Sequence, residues 1–171
     1  MHVAVTQESI QRANAQFWEQ MLAMQLDPIA VSLGHPVAAR CIGAEHVVAS
    51  CVFGGVWCGR IEIRLSQGLA LEATSAMLMQ PVSQVQPSDT LDATREIVNM
   101  IAGTIKSALP RPCTMTVPSA KVESADFCIL PRTSDSVTVF FQHASGRLLV
   151  RVWEHSTDQE SEIGTDAQRC V

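Results

Sequence analysis

The apolar positions of this chain change period several times, and each change marks an element. Between Thr6 and about Leu26, Ile10, Phe17, Met21 and Met24 fall at helical intervals, with Trp18 and Leu22 beside them. A first amphipathic helix is expected there, capped by Thr6 or Ser9 and broken by Asp27-Pro28. Ile29 to Gly34 reads as a short strand, and Val37 to Phe53 as extended chain rich in β formers. Gly54-Gly55 signals a hairpin, because glycine takes the positive φ angles such turns need. The stretch that follows alternates, with Ile61, Ile63 and Leu65 facing inward and Arg60, Glu62 and Arg64 outward.

Ser66 is placed to cap a second helix running to about Met79, with Leu69, Ala73, Ala76 and Met77 on one side. After a linker from Gln80 to Pro87 comes the longest pattern, Ser88 to Pro110. Ser88 or Asp89 suits its N-cap, Asp89 and Asp92 suit the positive end of its dipole, and Lys106 the negative end. Pro110 and Pro112 stop it. At 100° per residue, Leu91, Ile97, Val98, Ile101, Ala102, Ile105, Ala108 and Leu109 gather on a core face. Four strands are expected beyond it, Cys113–Val117, Val122–Leu130, Val137–His143 and Leu148–Glu154, the last two joined by a turn at Ser145-Gly146-Arg147. Residues 156–171 are polar, acidic and without period, as a flexible tail would be. The order helix, strands, two helices, strands predicts one α+β domain over residues 1–155, a mostly antiparallel sheet with long helices packed on it.

The side of the long helix opposite its core face carries Asp89, Asp92, Glu96, Asn99 and Gly103, with Met100 beside them. Glycine inside a helix costs about 1 kcal/mol against alanine, and a methionine is an unusual choice for a solvated surface. Glu96 and Asn99 stand three residues apart, which brings their Cβ atoms within roughly 5–6 Å. Two readings fit: an exposed face with incidental residues, or a docking face with an acid and an amide at its centre. Pattern alone favours the first.

Composition narrows the function classes. Of 171 residues, 47 % are hydrophobic and 17 % charged, enough apolar material for a real core. A net charge of −5 and the lack of any Lys/Arg cluster argue against nucleic acid as a partner. No apolar run reaches the ~18–20 residues a membrane span needs. The first residues show no basic segment followed by an apolar stretch, so a cytoplasmic protein without a secretory signal is expected. The six cysteines form no Cys-x-x-Cys pair and read as buried thiols; neither they nor the five histidines have metal-ligand spacing, and no metal site is expected. There is no phosphate-binding glycine loop and no nucleophile elbow.

Asp92 to Gly103, DATREIVNMIAG, resembles the signature helix of the CheX-type chemotaxis phosphatases of the CheC/CheX/FliY family, with Asp92, Glu96, Asn99, Gly103 and Lys106 on the family pattern. The hairpin at Gly54–Gly59, the Leu69–Leu78 helix and the closing hairpin Val137–Glu154 are similar to its other elements, so the resemblance covers about residues 40–155 and is looser over residues 1–36. Arg95 and Thr104 depart from it, glycine and a second asparagine being common there. The second helix has Glu72 but Ser75 three residues on, so one acid–amide pair per chain is expected.

The resemblance implies hydrolysis of the phospho-aspartate of a CheY-like receiver domain. Asn99 would orient the attacking water and Glu96 would dock on the receiver's lysine. Asp92, Arg95, Met100, Gly103 and Lys106 would form the surrounding docking surface. It also implies a sheet-mediated homodimer and no cofactor of the chain's own, Mg²⁺ coming with the receiver. The alternative is a dimeric adaptor that binds a receiver without turnover, with Arg95 disturbing Glu96.

Overall fold

The computed structural model describes residues 5–29, 45–124 and 136–155. Helix α1 (Gln7–Leu22) leads to β1 (Asp27–Ile29); the hairpin β2 (His46–Gly55) and β3 (Gly59–Ser66) runs into α2 (Gln67–Leu78). A 3₁₀ turn at Val82–Gln84 precedes α3 (Pro87–Ser107). Four strands close the order: β4 (Cys113–Met115), β5 (Ser119–Glu123), β6 (Ser136–His143) and β7 (Gly146–Glu154). All strand pairs are antiparallel, in the order β1-β6-β7-β3-β2-β4, and β5 joins β2 beside β4. This is the expected α+β architecture.

The register explains how one face of the sheet becomes core. Ile61, Ile63 and Leu65 lie opposite Cys51, Ala49 and Val47 on one side and Val152, Val150 and Leu148 on the other. All nine are buried, and the three helices cover this face. Helix α3 packs over β2 and β5, with α1 and α2 against its sides.

The opposite face is not an ordinary wet surface. Arg64 was expected to point outward, and it does leave the helix layer, but its residue is only 9 % exposed. It holds Glu62 at 2.8 Å and lies 3.5 Å from Glu123, which also binds Lys121 at 2.6 Å. His46, Arg151 and Leu149 are buried on the same face. Alternation distinguishes the two sides of a strand; it does not say whether the second side is covered.

Several local expectations shift. Helix α1 has the Thr6 cap, through a capping box with Ser9, but ends at Leu22 with Ala23 left-handed. Met24 thereby enters the core from beyond the helix, and Met21 is 60 % exposed. Asn14, buried in α1, donates to the Ile10 carbonyl and accepts from the Trp18 indole, so a polar residue completes an apolar face. Asp27-Pro28 does not merely break the chain; it pairs with β6 as an edge strand, where proline's missing amide is tolerated. Gly54 and Gly55 end β2 against β4, and the turn itself is Val56-Trp57-Cys58. A Cβ on Gly55, at φ +118°, would meet the Pro112 carbonyl oxygen at 2.2 Å.

Ser66 occupies the α2 N-cap position, yet its hydroxyl accepts from the Arg147 amide and tethers the β6–β7 hairpin instead. Ala76 is exposed, and Ala70 and Thr74 are buried in its place. The strand expected at Val122–Leu130 begins earlier, at Ser119; the rest of that range, the Ile29–Gly34 strand beyond Ile29, most of the Val37–His46 stretch, the tail and Cys41, Cys128 and Cys170 lie outside the described residues. Among the described residues, no helix is long and apolar enough to cross a membrane.

Candidate functional site

Helix α3 starts two residues earlier than its pattern suggested. Gln86, rather than Ser88 or Asp89, is the N-cap: its amide donates to the Asp89 carboxylate at 2.9 Å, and Pro87 follows at the first helical position. Proline's fixed φ suits that position, and its missing amide has no partner to lose there. Ile97, Val98, Ile101 and Ala102 are wholly buried and Ile105 nearly so. Complete burial is worth roughly 1.5–3 kcal/mol for each large aliphatic residue, so the four such residues hold the helix to the sheet with on the order of 10 kcal/mol as an upper figure. Thr90 and Thr94, also buried on that face, satisfy their hydroxyls on the carbonyls of Gln86 and Thr90. Ala108, counted with the core face from its angle, is exposed past the end of the helix.

On the outer side, Glu96 is exposed and Asn99 half-buried. The Asn99 amide nitrogen lies 3.5 Å from a Glu96 carboxylate oxygen, a long and weak hydrogen bond that orients the carboxamide with its oxygen turned away from the acid. Arg95 does not approach Glu96. Its guanidinium pairs with Asp92 one turn back, so the two neutralise each other at the edge of the face. Thr104 gives its hydroxyl to the Met100 carbonyl. Met100 is less exposed than expected, because its side chain packs on the edge of the core. Gly103 is exposed and a Cβ there would meet nothing within 4 Å; Lys106 stands one turn further on.

The corresponding positions of α2 do other work. Glu72 lies 4.0 Å from the His143 ring and Ser75 donates to the Gln80 carbonyl. Among the described residues, no group of three or more His, Cys, Asp or Glu side chains is gathered to hold a metal ion. Asp89 is engaged by the Gln86 amide and Asp92 by Arg95, which leaves the exposed Glu96 carboxylate beside the Asn99 carboxamide, on a helix whose other side is immobilised in the core. It holds no nucleophile–base pair of its own. Chemically it can place a charge and orient a small hydrogen-bonding molecule.

A family model described as "Chemotaxis phosphatase CheX" matches residues 47–142, more than half of the chain. The chain belongs to the CheX family. Among solved structures it is similar to the chemotaxis protein CheX of Desulfovibrio desulfuricans, with a TM-score of 0.67 and 20 % identity over 86 % of this chain and 97 % of that one. The CheX of Vibrio vulnificus matches with a TM-score of 0.66 and 20 % identity, over 87 % of this chain and 95 % of that one. A third similar structure is the CheX–CheY–BeF₃–Mg²⁺ complex of Borrelia burgdorferi, with a TM-score of 0.62 and 17 % identity over 87 % of this chain and 97 % of that one. At these identities the structures speak for the fold. No curated protein matches. Helix α3, with Glu96 and Asn99 on its outer side, lies within the matched residues.

Proposed function

We propose that this CheX-family chain is a phosphatase for the phospho-aspartate of a CheY-like receiver domain. The observation that carries the reading is the Glu96–Asn99 pair, in side-chain contact on the outer side of a core-anchored helix. A receiver's acyl phosphate needs little added chemistry for hydrolysis. Phosphoryl transfer asks mainly for position and for stabilised charge, and the receiver brings its own lysine and Mg²⁺. The Borrelia burgdorferi complex contains CheY, BeF₃ and magnesium, which supports the metal arriving on that side.

Asn99 is the catalytic residue in this reading. Its outward carboxamide oxygen accepts a hydrogen bond from one water and turns that water's lone pair toward phosphorus. The water oxygen bonds to phosphorus as the bond from phosphorus to the aspartyl oxygen breaks. The aspartate leaves as carboxylate, and the water's protons depart with inorganic phosphate. Glu96 is a positioning residue: its carboxylate pairs with the receiver's lysine and registers Asn99 over the phosphate. Met100 and Gly103 supply contact surface beside them, with the Asp92–Arg95 pair and Lys106 at its margins. A homodimer through a sheet edge belongs to the same proposal.

The adaptor alternative depended on Arg95 disturbing Glu96. With Arg95 held by Asp92, nothing on the face favours it. The direct test mixes the purified chain with an acetyl-phosphate-loaded receiver from the same genome and follows phosphate release. Acceleration at substoichiometric chain supports the proposal. Binding of the BeF₃-activated receiver with no acceleration by any cognate receiver would replace it with the adaptor.

A further inference from the structure

Past Asn99 the helix borders an open groove of about 810 Å³ between its last turns and strand β4, with Gly103, Lys106, Arg111, Cys113 and Met115 in its walls. Three features of this groove suit a partner: a glycine with no use inside the chain, two cations without a carboxylate among the described residues, and apolar wall at the edge of the core. Gly103 destabilises a helix relative to alanine, although an added Cβ would have open space around it. The cost therefore has no origin in the chain's own packing. Lys106 and Arg111 bring two positive charges to the groove, and neither is paired with a carboxylate among the described residues. The walls between them are mostly apolar, with Cys113 and Met115 partly exposed.

The position of the groove decides what covers it. Gly103 follows Asn99 by four residues and Lys106 follows Glu96 by ten, which is roughly 6 Å and 15 Å along the helix. A protein that seats its phosphorylated site on Asn99 with a contact patch of ordinary size, about 800 Å² per side, reaches roughly 16 Å from its centre. Such a partner overlies the groove. The face is also bipolar: the unpaired carboxylate of Glu96 lies near one end and the two free cations at the other, because Asp92 and Arg95 cancel. That arrangement selects a partner with a cation at its phosphorylated site and acidic residues about 15 Å away.

We infer that the groove is a second anchor for the same receiver, taking an acidic surface segment against Lys106 and Arg111, with Gly103 left bare so that the segment's backbone can lie close to the helix. The inference rests on the phosphatase reading and adds to it where specificity resides. Glu96 and Asn99 read features every receiver shares, a lysine and an acyl phosphate. The groove reads a segment outside them, and so distinguishes one receiver from another.

The test uses the full chain, acetyl-phosphate-loaded receiver and steady-state kinetics at several salt concentrations. Arg111→Glu and the double variant Lys106→Glu/Arg111→Glu are expected to raise KM for the receiver about tenfold or more at low ionic strength, to leave kcat within about twofold, and to flatten the salt dependence of kcat/KM. Gly103→Ala is expected to raise the melting temperature by ~2–4 °C while raising KM several-fold. That combination separates a docking role from a structural one, which would lower the melting temperature instead. Unchanged KM and unchanged salt dependence in an active enzyme overturn the groove and leave the phosphatase reading standing. A change of oligomeric state in these variants by light scattering assigns the groove to a second copy of the chain and overturns the inference. A wild-type chain that neither binds the BeF₃-activated receiver nor hastens its dephosphorylation overturns both readings together.

Discussion

Replacing Asn99 by alanine separates the positioning of water from everything else the helix does. The side chain is half-buried on the outer face and makes one weak contact, to Glu96 at 3.5 Å, so its removal opens no cavity in the core. Alanine is the better helix former by about 0.5 kcal/mol, and the variant should melt at or slightly above the wild-type temperature. Docking should also survive, because Glu96 is untouched and loses only a weak neighbour. The expected loss is confined to the transition state. One preorganised group that places a reacting partner is worth about 3–4 kcal/mol, or 10²–10³ in kcat. Asn99→Gln makes the argument sharper: it keeps the carboxamide and moves it by one methylene, and a misplacement of about 1 Å is enough to cost on the order of 10². The assay is single-turnover decay of a ³²P-labelled receiver at saturating enzyme, beside calorimetric affinity for the BeF₃-activated receiver. If Asn99→Ala keeps its rate within threefold of an active wild type, another group positions the water and the mechanism is wrong, even though the activity is real.

Glu96→Ala should do the reverse, weakening affinity for the activated receiver by tenfold or more; unchanged affinity by calorimetry would remove the docking role. On the far side of the sheet, the hydrogen bond from Lys121 holds the Glu123 carboxyl below its ordinary value of 4.5, against burial that pushes it up, with the charge of Arg64 adding to the lowering. A lowered carboxyl contributes stability that is present above its unfolded value and lost as pH falls through the folded one. Glu123→Gln should therefore flatten the decline of melting temperature below about pH 4.5, and an identical acid limb in the two proteins would show that this carboxylate is not linked to folding. Burial pushes the Cys51 thiol up to about 11, against the charge of Arg60. Its stabilising effect is complete below the unfolded value of about 9 and fades as pH rises through the folded one. At pH 8 a pulse of iodoacetamide read by mass spectrometry should modify Cys58 and Cys113 in the native protein and reach Cys51 only in denaturant; equal native labelling of Cys51 would contradict its burial.

How much of this was legible in the sequence depended on whether a property follows from local periodicity. The core side of α3 was legible because 3.6-residue spacing puts Ile97, Val98, Ile101 and Ile105 on one side, and all four are buried. The inward set of β3 was legible for the same reason, with period two. Capping by Gln86 was not, since glutamine is a rare cap and the signal lay in Pro87 and Asp89 acting together. The end of α1 and the role of Asn14 were missed because each depends on tertiary context: a left-handed Ala23 that stops the helix and brings Met24 into the core from beyond it, and a buried indole that gives Asn14 its partner. Glu96 and Asn99 were legible only through the family pattern. Spacing brought them together, but nothing in spacing distinguishes a solvated acid and amide from a working pair.

The arrangement on α3 would let the proposed pair work without a pocket. A side chain on a loop must be held by contacts of its own, and those contacts would crowd the site. Here Ile97 and Val98 immediately follow Glu96 and precede Asn99, and both are wholly buried. The backbone between Glu96 and Asn99 is thus fixed by core packing rather than by anything on the outer face. That face is then free to carry groups that are poor for stability, an exposed acid, a bare glycine and unpaired cations. The separation also sets which substitutions inform. Changes at Ile97 or Val98 would alter stability and activity together and say little about mechanism. Changes at Glu96, Asn99, Gly103 or Arg111 act on a surface the fold does not need, so a loss of function with an unchanged or raised melting temperature can be assigned to the partner.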